Sequence, residues 1–229
     1  RLPLRSGTHT YQIQFRHDGG SIKMPSYIGE VVPFRYVELE NYGGNAEQAL
    51  LVRNAVYYPY NEKASYFESS DSILNQVWDL CKYSVKATSF TGQFIDGDRE
   101  RLPYEGDNYI GQLTAYCVDD EYNLPRYSHE YSITHPTWPT EWIQISVMTA
   151  WLDYLYTGDL RSIRYYYEDL KAKCLMDFET ENGLIIVSGT DKQKNPQVMA
   201  KIHHKRSIED IVDWPITERD GYVVDNSCK

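Results

Sequence analysis

The sequence has few basic residues, few cysteines and no long apolar run, and each shortage argues against a class of protein. Its 229 residues contain 23 Lys and Arg against 33 Asp and Glu, which gives a formal charge of −10. Nucleic acids and anionic membranes are bound by clustered basic residues, so this charge argues against both as partners. No apolar run reaches the roughly 18–20 residues of a membrane span. We therefore expect neither nucleic-acid nor membrane binding.

The four cysteines are Cys81, Cys117, Cys174 and Cys228. No two of them have the spacing of a zinc ribbon or a CxxC redox pair. Three lie in helix-like apolar stretches, where a buried reduced thiol is the expected state. We predict no cofactor and no metal site, and the sequence favours none of the cytoplasm, the periplasm or the exterior as the compartment.

The chain changes character near residue 65. Before that point, polar and apolar residues alternate over residues 10–15 and 35–40, and residues 49–58 are rich in Val, Leu and Tyr. Such patterns are typical of half-buried strands. These few short strands, separated by turn signals, indicate part of a β-sandwich. Residues 1–65 are therefore predicted to be the end of a β-sandwich domain.

The remainder, residues 66–229, is predicted to be mostly helical. Its apolar residues recur with the 3.6-residue period of helices that bury one face. The predicted helices cover residues 72–86, 109–118, 121–132, 139–156 and 160–178. Only Thr157-Gly158-Asp159 separates the last two, so we expect these helices to pack as an antiparallel hairpin.

The segment with the most evident chemistry is the loop over residues 96–107. Within twelve residues it holds five carboxylates, two arginines and a tyrosine: Asp96, Asp98, Arg99, Glu100, Arg101, Tyr104, Glu105 and Asp107. Crowded like charges raise the pKa of at least one carboxylate. A proton donor that works near neutral pH needs such a raised pKa. The two arginines are expected to hold neighbouring carboxylates in the ionised state.

Three interpretations of this loop compete: a solvated charged turn, a calcium site and a carboxylate-based active site. For calcium, Asp96, Asp98, Glu100 and Asp107 stand at positions 1, 3, 5 and 12 of a twelve-residue loop. However, Arg101 stands at position 6, where the sharp turn of a calcium loop requires glycine. Two arginines among the ligands would also repel a cation.

Aromatic residues near the loop favour a carbohydrate site. Trp138, Trp142 and Trp214 lie at helix starts or in loops, whereas Trp78 and Trp151 lie on helical apolar faces and are expected in the core. Flat aromatic rings match the C–H faces of sugars, and carboxylates accept strong hydrogen bonds from sugar hydroxyls. The acidic loop and these aromatics together predict sugar binding.

The run over residues 96–107 resembles the acidic motif of bacterial α-L-rhamnosidases of glycoside hydrolase family 78. Residues 33–38 resemble the end of the β-sandwich that precedes the catalytic domain in that family. Three further runs resemble its catalytic barrel: 135–142, 156–159 and 213–215. The resemblance covers nearly the whole chain. It implies part of an (α/α)6 barrel that removes terminal α-L-rhamnose from glycosides or polysaccharides with inversion.

The resemblance also implies roles for individual residues. Arg99-Glu100 matches the pair that carries the general acid, so Glu100 would protonate the glycosidic oxygen. Asp107, seven residues after the acid, matches a ligand of sugar hydroxyls. Tyr104 stands where the family usually has Trp, and it is expected to contact the sugar.

Other substrate contacts follow less directly from the resemblance. The upstream Asp of the family falls at Ile95 in this sequence, so Asp96 or Asp98 is expected to take its place. Trp142 and Trp214 resemble aromatics that contact the sugar. The implied partner is a rhamnose-containing carbohydrate, and the sequence does not indicate an oligomeric state.

An inverting glycosidase needs a second carboxylate as base, across a gap of roughly 6.5–9.5 Å. The 164 residues after residue 65 are fewer than the roughly 200 or more that twelve ordinary helices need. The base is therefore expected beyond Lys229, although Glu141, Glu218 and Asp220 are conceivable local bases. We expect the isolated chain to hydrolyse little or nothing. The alternative is a carbohydrate-binding module or an inactive structural fragment of such an enzyme.

Overall fold

The computed structural model describes residues 3–11, 21–97 and 100–211, and every structural statement below refers to these residues. Within them the chain forms α1 (Ser72–Thr88), α2 (Glu105–Val118), α3 (Asn123–Thr134), α4 (Thr140–Thr157), α5 (Arg161–Tyr165), α6 (Tyr167–Ala172) and α7 (Pro196–Lys201). Short 3-10 helices cover Ala46–Gln48, Met176–Phe178 and Asp191–Lys194. None of the described helices is long and apolar enough to cross a membrane.

Helix α1 forms where the sequence predicts it. Asp71 caps its start, because the carboxylate accepts a hydrogen bond from the Ile73 backbone N–H at 2.8 Å. The apolar stripe is buried only near the end of the helix, at Val85. Ile73 and Leu80 on the same helix are 67% and 63% exposed, so much of the stripe is not covered by the described fold.

Helices α2, α3 and α4 pack on one another and form the centre of the described fold. A polar network joins them, in which the Arg126 guanidinium contacts the buried Asp153 carboxylate at 2.9 Å and that carboxylate accepts from the Tyr116 hydroxyl at 3.0 Å. Gly158 ends α4 in the left-handed conformation, with φ of 68°, as the glycine signal predicts. The three predicted helices in this region are confirmed, with ends shifted by at most four residues.

The single helix predicted over 160–178 is wrong, because the chain breaks into α5, α6 and a 3-10 turn. Leu175 takes the left-handed conformation, with φ of 59°, just before that turn. This backbone is unfavourable for leucine, but the Leu175 side chain becomes 99% buried beside Ile143 and Phe178. Apolar burial therefore offsets the backbone cost. Helices α5 and α6 still pack against α4, as the predicted hairpin requires.

The strands predicted over 35–40 and 49–58 are not formed, and no strand occurs among the described residues. Strands need neighbouring strands and a covered face. Here the apolar side chains of these segments face solvent: Tyr36 is 80% exposed and Leu50 is 85% exposed. The prediction over 10–15 lies largely outside the described residues.

Several side chains expected in the core lie at the surface. Trp151 is 53% exposed, while Trp78 is half-buried and stacks on Phe67 with ring centroids 5.2 Å apart. Cys81 and Cys117 are exposed free thiols, so the prediction that they are buried is wrong. These side chains lie on faces of α1, α2 and α4 that the described residues leave at least partly exposed.

Candidate active site

The acidic loop leaves the core at Phe94 and Ile95, which are both buried, and enters α2 at Glu105. Its two ends are tied together: the Asp96 N–H donates to the Leu102 carbonyl at 3.1 Å, and the Leu102 N–H donates to the Asp96 carboxylate at 3.0 Å. The loop is therefore a closed turn, with Glu100 near its tip.

The Glu100 carboxylate is held by a tyrosine at the start of α2. The Tyr104 hydroxyl donates to Oε2 of Glu100 at 2.9 Å. The Tyr104 oxygen also accepts a hydrogen bond from the Trp138 side chain. Burial raises the pKa of Tyr104 to about 12, and its bond to Glu100 adds to the effect. The phenol therefore stays protonated at neutral pH and donates to Glu100.

Trp142, on the first turn of α4, closes one side of this group. Its ring meets the Tyr104 ring edge to face, with centroids 5.0 Å apart. A Cβ at Gly106 would lie 3.4 Å from the Trp142 ring, in van der Waals contact, so the start of α2 packs directly on Trp142. Trp142 is half-buried and keeps part of its ring accessible.

Two more carboxylates of the loop lie in the first turn of α2. Burial raises the pKa of Asp107, and the nearby charge of Glu100 raises it further. Burial also raises the pKa of Glu105, while bonds from Thr137 and the charge of Lys173 oppose that rise. The sequence prediction that crowding raises a carboxylate pKa is thus right in direction, although burial is the larger cause.

Glu105 has no solvent exposure and ties the loop between α3 and α4 to the start of α2. One oxygen accepts the Thr137 N–H at 2.9 Å, and the other accepts the Thr137 hydroxyl. Thr137 directly precedes Trp138, which contacts Tyr104. Lys173, also fully buried, supplies the nearby positive charge.

Arg101 contacts a carboxylate outside its own loop, which the sequence did not predict. Its guanidinium contacts Glu30 and the Val31 carbonyl, both at 2.5 Å, in the non-helical segment before α1. The side chain is 1% exposed, and the backbone φ is 52°. The contact joins the loop to a residue 71 positions earlier in the sequence.

The structure brings together four of the predicted site residues: Glu100, Tyr104, Asp107 and Trp142. Asp96 closes the same loop, and its charge acts on Tyr104. Asp98, Arg99 and Trp214 lie outside the described residues. Ile95, at the position of the family's upstream Asp, is 4% exposed and belongs to the core.

Sequence reasoning took Trp138 only as a candidate sugar contact and Glu105 only as one carboxylate of the loop, and it assigned no role to Thr137, Lys173 or Glu30. Trp138 and Glu105 lie in motifs that resemble the family, but the sequence does not show that they bond to Tyr104 and Thr137. Glu30 and Lys173 carry no local signal, because their partners are distant in the chain. As for calcium, no group of three or more carboxylate, His or Cys side chains in the described part of the chain could hold a metal ion.

A family model described as the bacterial alpha-L-rhamnosidase 6 hairpin glycosidase domain matches residues 62–183. The match covers just over half of the 229 residues and contains α1 to α6 and the acidic loop. The chain belongs to this family. Comparison with curated proteins and comparison with solved structures give no match.

Membership of the six-hairpin glycosidase family agrees with the resemblance drawn from the acidic motif. The described part of the chain is mainly helical, as a fold of helical hairpins requires. The matched range ends before α7. It begins after Glu30 and Val31, the residues that the Arg101 guanidinium contacts.

Proposed function

We propose that this six-hairpin glycosidase domain binds terminal α-L-rhamnose at the loop 96–107, with Glu100 as the general acid of an inverting hydrolysis. The observation that carries the proposal is the 2.9 Å bond from the Tyr104 hydroxyl to the Glu100 carboxyl group. It holds a carboxyl group in one orientation beside a second, partly buried carboxyl group at Asp107 and the half-exposed ring of Trp142.

The chemistry assigned to Glu100 is proton donation to the glycosidic oxygen. As that proton moves, the bond from the anomeric carbon to the oxygen breaks and the aglycone leaves as an alcohol. A water molecule attacks the opposite face of the sugar, and its proton passes to a base carboxylate roughly 6.5–9.5 Å from the acid. The product has inverted configuration at the anomeric carbon.

The remaining groups of the site are proposed as sugar ligands. Asp107 and Asp96 would accept hydrogen bonds from sugar hydroxyls, and such charge-assisted bonds are strong. Tyr104 and Trp142 would contact the apolar face of the rhamnose ring. Asp98, Arg99 and Trp214 are assigned to substrate binding through the motif resemblance alone.

We also propose that residues 66–229 form a part of an (α/α)6 barrel distinct from residues 1–65. Two observations support a boundary near residue 65: the family match begins at residue 62, and the first α-helix begins at Ser72. The helical hairpin of α4 with α5 and α6 is of the kind from which such a barrel is built.

The second candidate function is sugar binding without hydrolysis. The edge-to-face pair of Tyr104 and Trp142 favours it, because aromatic rings beside carboxylates are enough to bind a sugar. In that case Glu100 would be a ligand of a hydroxyl group rather than a proton donor.

The test incubates the chain with an aryl α-L-rhamnoside and follows aryl alcohol and sugar by proton NMR. Any L-rhamnose released should appear first as the β-anomer, and Glu100→Gln should abolish its release. Such release would overturn the expectation that the chain alone hydrolyses little or nothing. The matched control is Glu62→Gln, because the Glu62 side chain is 58% exposed and pairs with Lys86 on the surface. Rhamnose binding without release would support the second candidate. Neither binding nor release would contradict both.

A further inference from the structure

The non-helical segment over residues 21–31 forms hydrogen bonds with the backbone at the proposed acid and at the residue after it. The Ser21 hydroxyl donates to the Glu100 carbonyl at 2.5 Å. The Ile22 N–H donates to the Arg101 carbonyl at 3.0 Å. This segment lies before the matched family range of 62–183, so nothing in the match assigns it a part in the site.

The strongest contact runs through Arg101, the residue after Glu100. Its guanidinium contacts the Glu30 carboxylate and the Val31 carbonyl, both at 2.5 Å, and lies 5.2 Å from the centre of the Phe90 ring. Only 1% of the Arg101 side chain is exposed. A buried guanidinium is stable only when its charge and its N–H groups are satisfied, and Glu30 supplies the compensating charge.

The backbone at Arg101 is in a conformation that a non-glycine residue rarely adopts. Its φ is 52°, in the left-handed region. Such strain persists where surrounding contacts fix it, and it is concentrated at functional sites. Here the contacts come from Glu30, Val31 and Ile22, while the N–H of Arg101 donates to the Gly97 carbonyl at 3.2 Å. The turn that carries Glu100 is thus held through its backbone and Arg101 by segment 21–31, and through the Glu100 carboxyl group by Tyr104.

We propose that Glu30 is a positioning residue for Glu100, which it orients through the buried Arg101. The inference rests on the proposed role of Glu100 as the acid. Segment 21–31 fixes the backbone of the acid, and Tyr104 fixes its carboxyl group. Removal of the Glu30 charge releases the guanidinium, and the strained turn relaxes away from Tyr104. Segment 21–31, which precedes the helical domain, therefore contributes to the active site by positioning the acid.

The kinetic arm of the test compares Glu30→Ala with Glu62→Ala on an aryl α-L-rhamnoside. A displacement of 1 Å in a catalytic group costs about 10²-fold in rate, so we expect Glu30→Ala to lower kcat by about that factor with little change in KM. Glu62, the exposed partner of Lys86, is the matched control and should leave kcat unchanged. Glu30→Gln is the milder variant if Glu30→Ala does not fold, and Arg101→Met should add nothing to a Glu30 variant. A kcat equal to the control would overturn the proposal.

A second arm needs no turnover. It measures the pKa of the Tyr104 phenol from the pH dependence of its ¹³C resonance, which is assigned by its loss in Tyr104→Phe. Burial and the Glu100 bond hold the pKa of Tyr104 at about 12, above its ordinary value of 10.0. If Glu30→Ala or Glu30→Gln displaces Glu100, this pKa falls toward 10, whereas Glu62→Ala leaves it unchanged. An unchanged pKa in both Glu30 variants would overturn the positioning role.

The two arms separate failure of this inference from failure of the proposed function. If the wild-type chain shows no turnover but the Glu30 variants shift the Tyr104 titration, positioning stands and the assignment of hydrolysis does not. If Glu100→Gln abolishes turnover but the Glu30 variants equal the control in both arms, the acid stands and positioning does not.

Discussion

Lys173 carries a buried ammonium group whose titration should be measurable in the stability of the protein. Its side chain has no solvent exposure, and its Nζ has no hydrogen-bond partner among the described residues. Burial lowers the pKa of Lys173 from 10.5 to about 8, although the charges of Glu105 and Asp169 act in the opposite direction. The charged form is therefore disfavoured in the fold relative to the unfolded chain.

The sign and size of the effect follow from that pKa. Between about pH 8 and 10.5 the unfolded chain keeps a proton that the folded chain has released, so the free energy of unfolding rises with pH. Below pH 8 both states are protonated and the full destabilisation remains. With about 1.36 kcal/mol for each pKa unit, the rise between pH 7 and 9.5 is about 2 kcal/mol. Above this window, tyrosines with raised pKa values, such as Tyr104 and Tyr116, add an opposite slope.

The assay is urea unfolding followed by circular dichroism between pH 7 and 9.5, with wild type and two lysine variants. We expect Lys173→Met to lose the rise in unfolding free energy. Lys171→Met is the matched control, since the Lys171 side chain is 67% exposed and pairs with the exposed Glu168 at 3.7 Å. The control should keep the wild-type slope. If Lys173→Met shows the same dependence on pH as wild type, the reasoning is refuted.

Two further predictions concern packing around the site. Arg126→Met removes the arginine that pairs with the Asp153 carboxylate, which is 1% exposed. The free energy of unfolding should fall by about 3–5 kcal/mol. A loss below about 1 kcal/mol in urea unfolding would contradict this prediction. In Gly111→Ala, the added Cβ would lie 2.8 Å from Cγ of the buried Phe94. Overpacking of this kind costs about 1–3 kcal/mol, so the melting temperature should fall, and an unchanged value would show that the core adapts.

The parts of the fold that sequence predicts well are set by short-range chemistry. Asp71 and Gly158 mark a helix start and a helix end because capping and left-handed geometry depend on the residue itself. The break near Leu175 was missed because burial of its side chain decides it, and burial depends on distant partners. The strands expected over 35–40 and 49–58 failed for the same reason, since alternation in a sequence cannot supply a neighbouring strand.

The same division applies to the candidate site. The spacing of Glu100, Tyr104 and Asp107 within one loop predicted a group that the structure does bring together. The contact of Arg101 with Glu30 was not predicted, because the two residues lie 71 positions apart in the sequence. Glu30 lies in no recognisable motif, and only the fold of the chain brings its carboxylate to the Arg101 guanidinium.

The central claim, that the acidic loop is a rhamnose site, is tested most directly by NMR titration of the ¹⁵N-labelled chain with L-rhamnose. The account predicts saturable shifts at the amides of residues 96–107 and at the Trp142 indole, with none from D-glucose at equal concentration. Asp107→Ala should weaken the binding of L-rhamnose, while its ¹⁵N spectrum should remain that of a folded protein. Shifts elsewhere, for example at the exposed Trp151 indole, or no shifts at the loop, would contradict the account.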